Sequence, residues 1–121
     1  MTISMVVPEA PVESASLPIC RIALPQRFDV HAIADFTAMV VNATGLACVL
    51  LVDASMVRYI DRSGIDSLID ARLRCLDRGG DLVLLSPSLA ARITLELAGR
   101  YKSLNPVDST TRDDSSARSA A

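Results

Sequence analysis

The stretch Leu46-Ala47-Cys48-Val49-Leu50-Leu51-Val52-Asp53 decides the fold class, because it is the longest unbroken apolar run in the chain and it stops at a carboxylate. A membrane-spanning helix needs about 20 apolar residues, so a run this short reads as a buried strand. Without polar alternation, it predicts a strand covered on both faces, as in a parallel sheet layered with helices. Asn42 to Gly45 breaks whatever precedes it.

Helix-type patterns stand on either side. Upstream, Asp29 is a good N-cap for a helix reaching to about Val41, with Ile33, Phe36 and Val40 sharing one face. Before that, Ile19 to Leu24 reads as a strand stopped by Pro25. Downstream, a second long helix is expected from near Ser63 to Gly79-Gly80. Its inner side would carry Ile65, Leu68, Ile69, Arg72, Leu73 and Leu76. Gly79 suits the left-handed residue that ends a helix. Leu82 to Leu85 is another strand. Ser86 as N-cap with Pro87 in the first turn opens a third helix closed by Gly99, its apolar stripe being Leu89, Ile93 and Leu97. Leu104 to Val107 could add a short edge strand. Strand-helix alternation of this kind calls for an α/β domain with a mostly parallel central sheet of about four strands and three to four helices.

The ends differ in composition. Residues 1–17 are rich in Pro, Ser and Ala, and residues 108–121 lack any large apolar side chain, so both are expected to be tails around a domain spanning 18–107. The whole chain of 121 residues carries a net charge of −2, but residues 18–105 hold ten basic and nine acidic side chains. The acidity therefore lies in the ends. A near-neutral domain has no electrostatic footprint for nucleic acid or an anionic membrane. Half of the residues are apolar, yet only four are aromatic, so the core must be aliphatic and no stacking platform for RNA can be built. One histidine and three cysteines remove most metal sites and many catalytic dyads. Cys20, Cys48 and Cys75 form no CxxC pair and lie in apolar segments, which reads as buried thiols in a reducing cytoplasm; no metal site and no cofactor are expected. The N-terminus has no basic residue ahead of an apolar stretch, unlike a signal peptide.

In open α/β sheets the functional crevice lies where strand ends feed helix starts, which points to the long connection from Asp53 to Gly64. Ser63 sits there at a helix N-terminus, flanked by Arg62 and by a glycine with no side chain to shield it. A phosphate on it would meet unsatisfied N–H groups and the positive end of the helix dipole. Asp61 and Asp66 would oppose the added charge, while Arg58 and Arg62 would offset it. The simpler alternative is that Ser63 caps the helix. Asp53 is expected to order the turn that presents Ser63. Asp66, Asp70, Arg74 and Arg78 lie along one helical side and read as a solvated face, with Asp70 and Arg74 an i,i+4 pair. A hydrolase built on His31, Ser63 and an aspartate is the enzyme alternative, but the serine lacks a Gly-x-Ser-x-Gly elbow. No catalytic residue is assigned.

The run Asp61-Arg62-Ser63-Gly64-Ile65 resembles the Asp-Ser-Ser-Gly-Leu turn of the STAS-domain anti-sigma factor antagonists of bacteria. The strand ending at Asp53, the return Gly79-Gly80-Asp81-Leu82-Val83-Leu84 and the close Leu95-Glu96-Leu97-Ala98-Gly99 match that family's order and spacing, over roughly residues 19–107. The resemblance implies a non-enzymatic cytoplasmic protein, monomeric or weakly dimeric. Such a protein binds an anti-sigma factor that is also a serine kinase and so frees a sigma factor. It implies Ser63 as phosphoacceptor, a counteracting phosphatase, and partner contacts at Asp29, Arg58, Asp61, Arg62, Gly64, Ile65 and Asp66. ATP and magnesium would belong to the kinase. Two departures stand out: Arg62 replaces the serine that commonly precedes the phosphoacceptor, and Pro25 to Asp29 lacks the family's glycine. A STAS module acting as a scaffold, without phosphorylation, is the other reading.

Overall fold

The computed structural model describes residues 17–108, so the two expected tails fall outside it apart from Leu17 and Asp108. Three parallel strands form the central sheet: β1 (Ile19–Ala23), β3 (Val49–Asp53) and β5 (Asp81–Leu85), in the order β1-β3-β5. Ile22, Val52 and Leu84 stand side by side in this register, as do Cys20, Leu50 and Leu82. A second, miniature parallel sheet joins β2 (Arg27–Phe28) to β4 (Tyr59–Ile60). Three α-helices complete the domain: α1 (Ile33–Ala43), α2 (Arg62–Asp77) and α3 (Leu89–Leu97). The α/β class and the mostly parallel sheet agree with the sequence reading. The expected edge strand is reduced to one parallel bridge, Leu85 to Val107, behind a 3-10 turn at Lys102–Leu104.

The apolar run at 46–52 becomes a strand only from Val49; Leu46 is 79% exposed. Its sheet is deeply covered on one face, where Leu50 and Val52 are wholly buried with Phe36 and Val40 of α1 and Leu68 of α2. Val49 and Leu51, pointing the other way, stay half-buried. The expectation of two covered faces is therefore corrected. Phe28 and Phe36 meet edge to face, with centroids 5.1 Å apart, which contributes about 0.5–1.5 kcal/mol beyond their burial.

Helix boundaries follow the caps rather than the nearest candidate residue. Asp29 caps a 3-10 turn, Val30–Ala32, by accepting the His31 N–H, and α1 follows from Ile33. Ser86 does not cap α3: it adopts φ +49°, and Ser88, two residues on, accepts the Ala91 N–H instead. On α2 the inner face is Ile65, Leu68, Ala71 and Cys75, whereas Leu73 and Leu76 are exposed. On α3 the stripe Leu89, Ile93 and Leu97 faces outward, while Ala91 and Leu95 enter the core. Each helix has neighbours on one side alone, so only one of its apolar stripes is covered. Gly79 ends α2 at φ +89°, as expected. Arg74 donates to Thr44 Oγ1 at 2.9 Å, and no Asp70–Arg74 ion pair forms.

The thiols of Cys48 and Cys75 are buried and that of Cys20 is half-buried. Burial, and then the neighbouring Cys20 thiol, push the Cys48 thiol up to about 12. Asp81 ties three segments together: it accepts from Arg72 of α2 at 2.9 Å, from the Leu82 N–H and from Asn105. The Arg72 hydrogen bond, against the opposing effect of desolvation, holds its carboxyl below the ordinary value of 3.8. A folded-state value below the unfolded one stabilises above the unfolded value and is lost as pH falls through the folded one. Urea unfolding followed by circular dichroism is accordingly expected to lose midpoint below about pH 4. In an Asp81→Asn chain the midpoint is lower at pH 7 and its acid dependence shallower.

Candidate functional site

The turn before α2 is built by Asp61. Its backbone N–H reaches the Phe28 carbonyl at 3.4 Å, so β4 delivers it beside β2. One carboxylate oxygen caps α2 by accepting the Gly64 N–H at 2.8 Å, and the other accepts the Val30 N–H at 3.1 Å. A single side chain thus ties the start of α2 to the 3-10 turn that leads into α1. Asp61, not Ser63, is the cap. An aspartate cap of this kind contributes about 1 kcal/mol.

With the capping role taken, Ser63 occupies the second position of α2, half-buried, and among the described residues its hydroxyl makes no hydrogen bond. It borders a cleft of about 480 Å3 between α1 and α2, alongside Ile33, Thr37, Val40, Asp66 and Arg74. Arg62, its neighbour, projects into solvent with its side chain 85% exposed and meets Asp66 at 3.5 Å. Gly64 lies buried against the Phe28 carbonyl, and Ile65 enters the core. Arg58 is exposed on the loop before β4, held through its backbone N–H to the Gln26 carbonyl at 2.7 Å.

Asp29 stands apart from this cleft. It accepts from Arg27 Nε at 2.8 Å and lines a second groove, of about 540 Å3, with His31, Asp35 and Phe36. Desolvation raises its carboxyl pKa, but the His31 N–H and Arg27 outweigh that and keep it low. His31 and Ser63 border different cavities, and no hydrogen bond joins them. Asp53 does not reach the Ser63 turn: it pairs with Arg21 at 2.8 Å and accepts the Ser55 N–H at 2.9 Å, so it orders the Ala54–Met56 bend instead. Among the described residues no group of three or more His, Cys, Asp or Glu is placed to hold a metal ion, and no helix is long and apolar enough to cross a membrane.

The β2–β4 pair was not legible in the sequence, although it positions the whole site. Two-residue strands carry no periodicity. The one signal was composition: a Phe and an Ile, each preceded by a residue able to cover it. Arg27 lies over the Tyr59 ring at 4.6 Å, which seals the outer side of this pair.

Residues 13–114 match the STAS domain. The chain belongs to the STAS domain family. Its fold is shared with the anti-sigma factor antagonist SpoIIAA in its unphosphorylated form, at TM-score 0.67 and 20% identity over 81% of this chain and 85% of that one. The phosphorylated form of SpoIIAA, a Bacillus cell fate determinant, aligns at TM-score 0.61 and 20% identity, over 81% and 88%. The murine anion transporter Slc26a9 aligns at TM-score 0.61 and 17% identity, covering 71% of this chain but 14% of the transporter. The fold therefore occurs both as most of a small protein and as a part of a larger one. No curated protein sequence matches the chain.

Proposed function

We propose that this STAS domain is an anti-sigma factor antagonist, a non-enzymatic cytoplasmic protein switched off by phosphorylation of Ser63. The observation that carries the reading is the Ser63 hydroxyl: it lies at the start of α2, unbonded, beside a glycine and outside the capping scheme that Asp61 completes. The reading is also supported by the likeness of fold to SpoIIAA.

The partner in this reading is an anti-sigma factor serine kinase, which brings ATP and magnesium, and a separate phosphatase restores the free serine. Phosphorylation adds about −1.5 to −2 charges within a fitted contact. Here they arrive one residue from Gly64 and two from Asp61, so like-charge repulsion falls on the carboxylate that ties α2 to the turn ahead of α1. Arg62, the exposed neighbour of Ser63, would temper it, whereas Arg58 lines a separate groove with Met56 and Ser88. Asp29, Ile65 and Asp66 complete the proposed contact region, Ile65 by holding the turn in the core rather than by touching the partner.

The decisive experiment incubates the chain with a kinase-type anti-sigma factor and ATP, then locates phosphate by mass spectrometry. Phosphate is expected on Ser63, and none on Ser63→Ala, which should still bind. Ser63→Asp should bind at least about tenfold more weakly, a loss of about 1.4 kcal/mol. Phosphate at another residue, or a complex indifferent to Ser63→Asp, would overturn the reading. The alternative, a STAS scaffold that is never phosphorylated, draws on Arg62, which stands where the family commonly carries a serine ahead of the phosphoacceptor; it predicts the second of those outcomes.

A further inference from the structure

Helix α3 has two apolar sides. Ala91 and Leu95 are buried, and about 200° around the helix from them Leu89, Ile93 and Leu97 are 72%, 47% and 85% exposed. Spaced four residues apart, these three form one stripe about 12 Å long. Where the stripe begins, Ser88 fastens the helix to the loop before β4 by donating to the Val57 carbonyl at 2.6 Å. That loop presents Met56, 58% exposed, in a shallow groove shared with Ala90 and Arg58. Met56 thus adds an exposed apolar side chain near the N-terminal end of the stripe.

The charges bordering this surface are mostly of one sign. Between Leu89 and Leu104 there are Arg92, Arg100 and Lys102 against Glu96, and Arg92 satisfies Glu96 at 3.3 Å. Arg58, beside Met56, and Arg100, three residues past Leu97 and lining a cleft with Leu73 and Leu76 of α2, make no ion pair among the described residues. A short apolar stripe with unpaired cations nearby suits an apolar ridge carrying carboxylates, the helix-in-groove mode of recognition. A second copy of this chain would bring the same cations against each other. A lipid surface is less suited, since the stripe spans little more than two turns and includes Glu96 on its margin.

We propose that the Leu89–Ile93–Leu97 face, with Met56, docks an amphipathic helix from an acidic partner protein. This surface does not depend on the Ser63 reading and would serve equally a scaffold that is never phosphorylated.

The test uses the full chain, labelled with nitrogen-15, and two helical peptides of about 18 residues with leucines on one face and either glutamates or lysines elsewhere. The glutamate peptide is expected to shift the amide signals of Met56, Arg58 and residues 89–97, saturating below millimolar concentration. The lysine peptide should bind at least about tenfold more weakly. Leu89→Ser and Leu97→Ser should each weaken the glutamate peptide while leaving the unfolding midpoint unchanged, because both side chains are exposed. Arg100→Glu should weaken it too. Equal binding of the two peptides, shifts confined to the cleft between α1 and α2, or no shift at millimolar peptide would overturn the proposal. So would self-association that Leu97→Ser abolishes, which would make the occupant a second copy. Flotation with phosphatidylserine vesicles that Leu89→Ser abolishes would overturn it in favour of a membrane.

Discussion

A Gly80→Ala chain is expected to lose most of the stability of the fold. A Cβ at this position would overlap the Cys48 carbonyl oxygen and come within 2.9 Å of the Cys48 carbonyl carbon and nitrogen. These are backbone atoms at the entry to β3, so no rotamer change relieves the contact. Gly80 is where α2 hands over to β5: its N–H bonds the Cys75 carbonyl at 2.9 Å, and the next N–H, of Asp81, bonds the Cys48 carbonyl at 3.2 Å. Making room for a methyl group must pull the start of β5 away from β3, breaking that bond and loosening Leu82 from the core. We expect a cost of about 3–5 kcal/mol, at the upper end of single substitutions. For a domain of this size that is a fall in Tm on the order of 15–30 °C, readable by thermal circular dichroism. Gly99→Ala is the control. Gly99 has φ +72° but open space around its Cα, so backbone strain alone should cost about 1 kcal/mol. Similar effects from the two substitutions would show that the Gly80 contact is not as close as described.

Gly64→Ala is expected to be the second largest perturbation, and it acts on the candidate site directly. The added Cβ would lie 2.5 Å from the Phe28 carbonyl oxygen and 2.9 Å from both Ile60 Cγ1 and Phe28 Cδ2. The two side chains can give; the carbonyl is held in the β2–β4 pair, where it accepts the Asp61 N–H. The first turn of α2 must therefore lift. That stretches the Asp61 to Gly64 cap and displaces Ser63, which stands one residue away. A loss of about 2–4 kcal/mol in urea unfolding is expected, with large shifts of the Val30 and Gly64 amide signals because both donate to Asp61. Ser67→Ala removes the Ser67 Oγ to Gly64 carbonyl bond of 2.8 Å without adding bulk. It should cost about 1 kcal/mol and leave the Val30 signal in place. Should Gly64→Ala leave both amides unmoved, the glycine's place in the motif would need an explanation other than packing. The glycine beside Ser63 thus has a structural reason to be there, independent of any kinase: nothing larger fits between α2 and β2.

Much of this domain was legible in the sequence. The apolar run ending at Asp53 had to hold a strand because it was too short to span a membrane, and Val49–Asp53 forms it. Gly79 and Gly99 had to end helices, since positive φ is cheap for glycine alone, and both adopt it. The thiols of Cys48 and Cys75 had to be buried, lying within apolar segments that form the core. These features depend on residues close together in the chain, where periodicity and local chemistry act.

Other features depended on partners far away in sequence. Whether Asp61 or Ser63 caps α2 could not be decided locally, because both are good capping residues. The choice fell to Asp61 because the β2–β4 pair brings the Val30 N–H to its second oxygen. Whether Leu89, Ile93 and Leu97 or Ala91 and Leu95 face inward was equally open, since both sets are apolar and each is consistent with a helix. The pattern of hydrophobic residues gives a helix its sides, but only the packed neighbours assign one side to the core. Here the room beneath α3 holds an alanine and a leucine, and two leucines and an isoleucine are left facing outward.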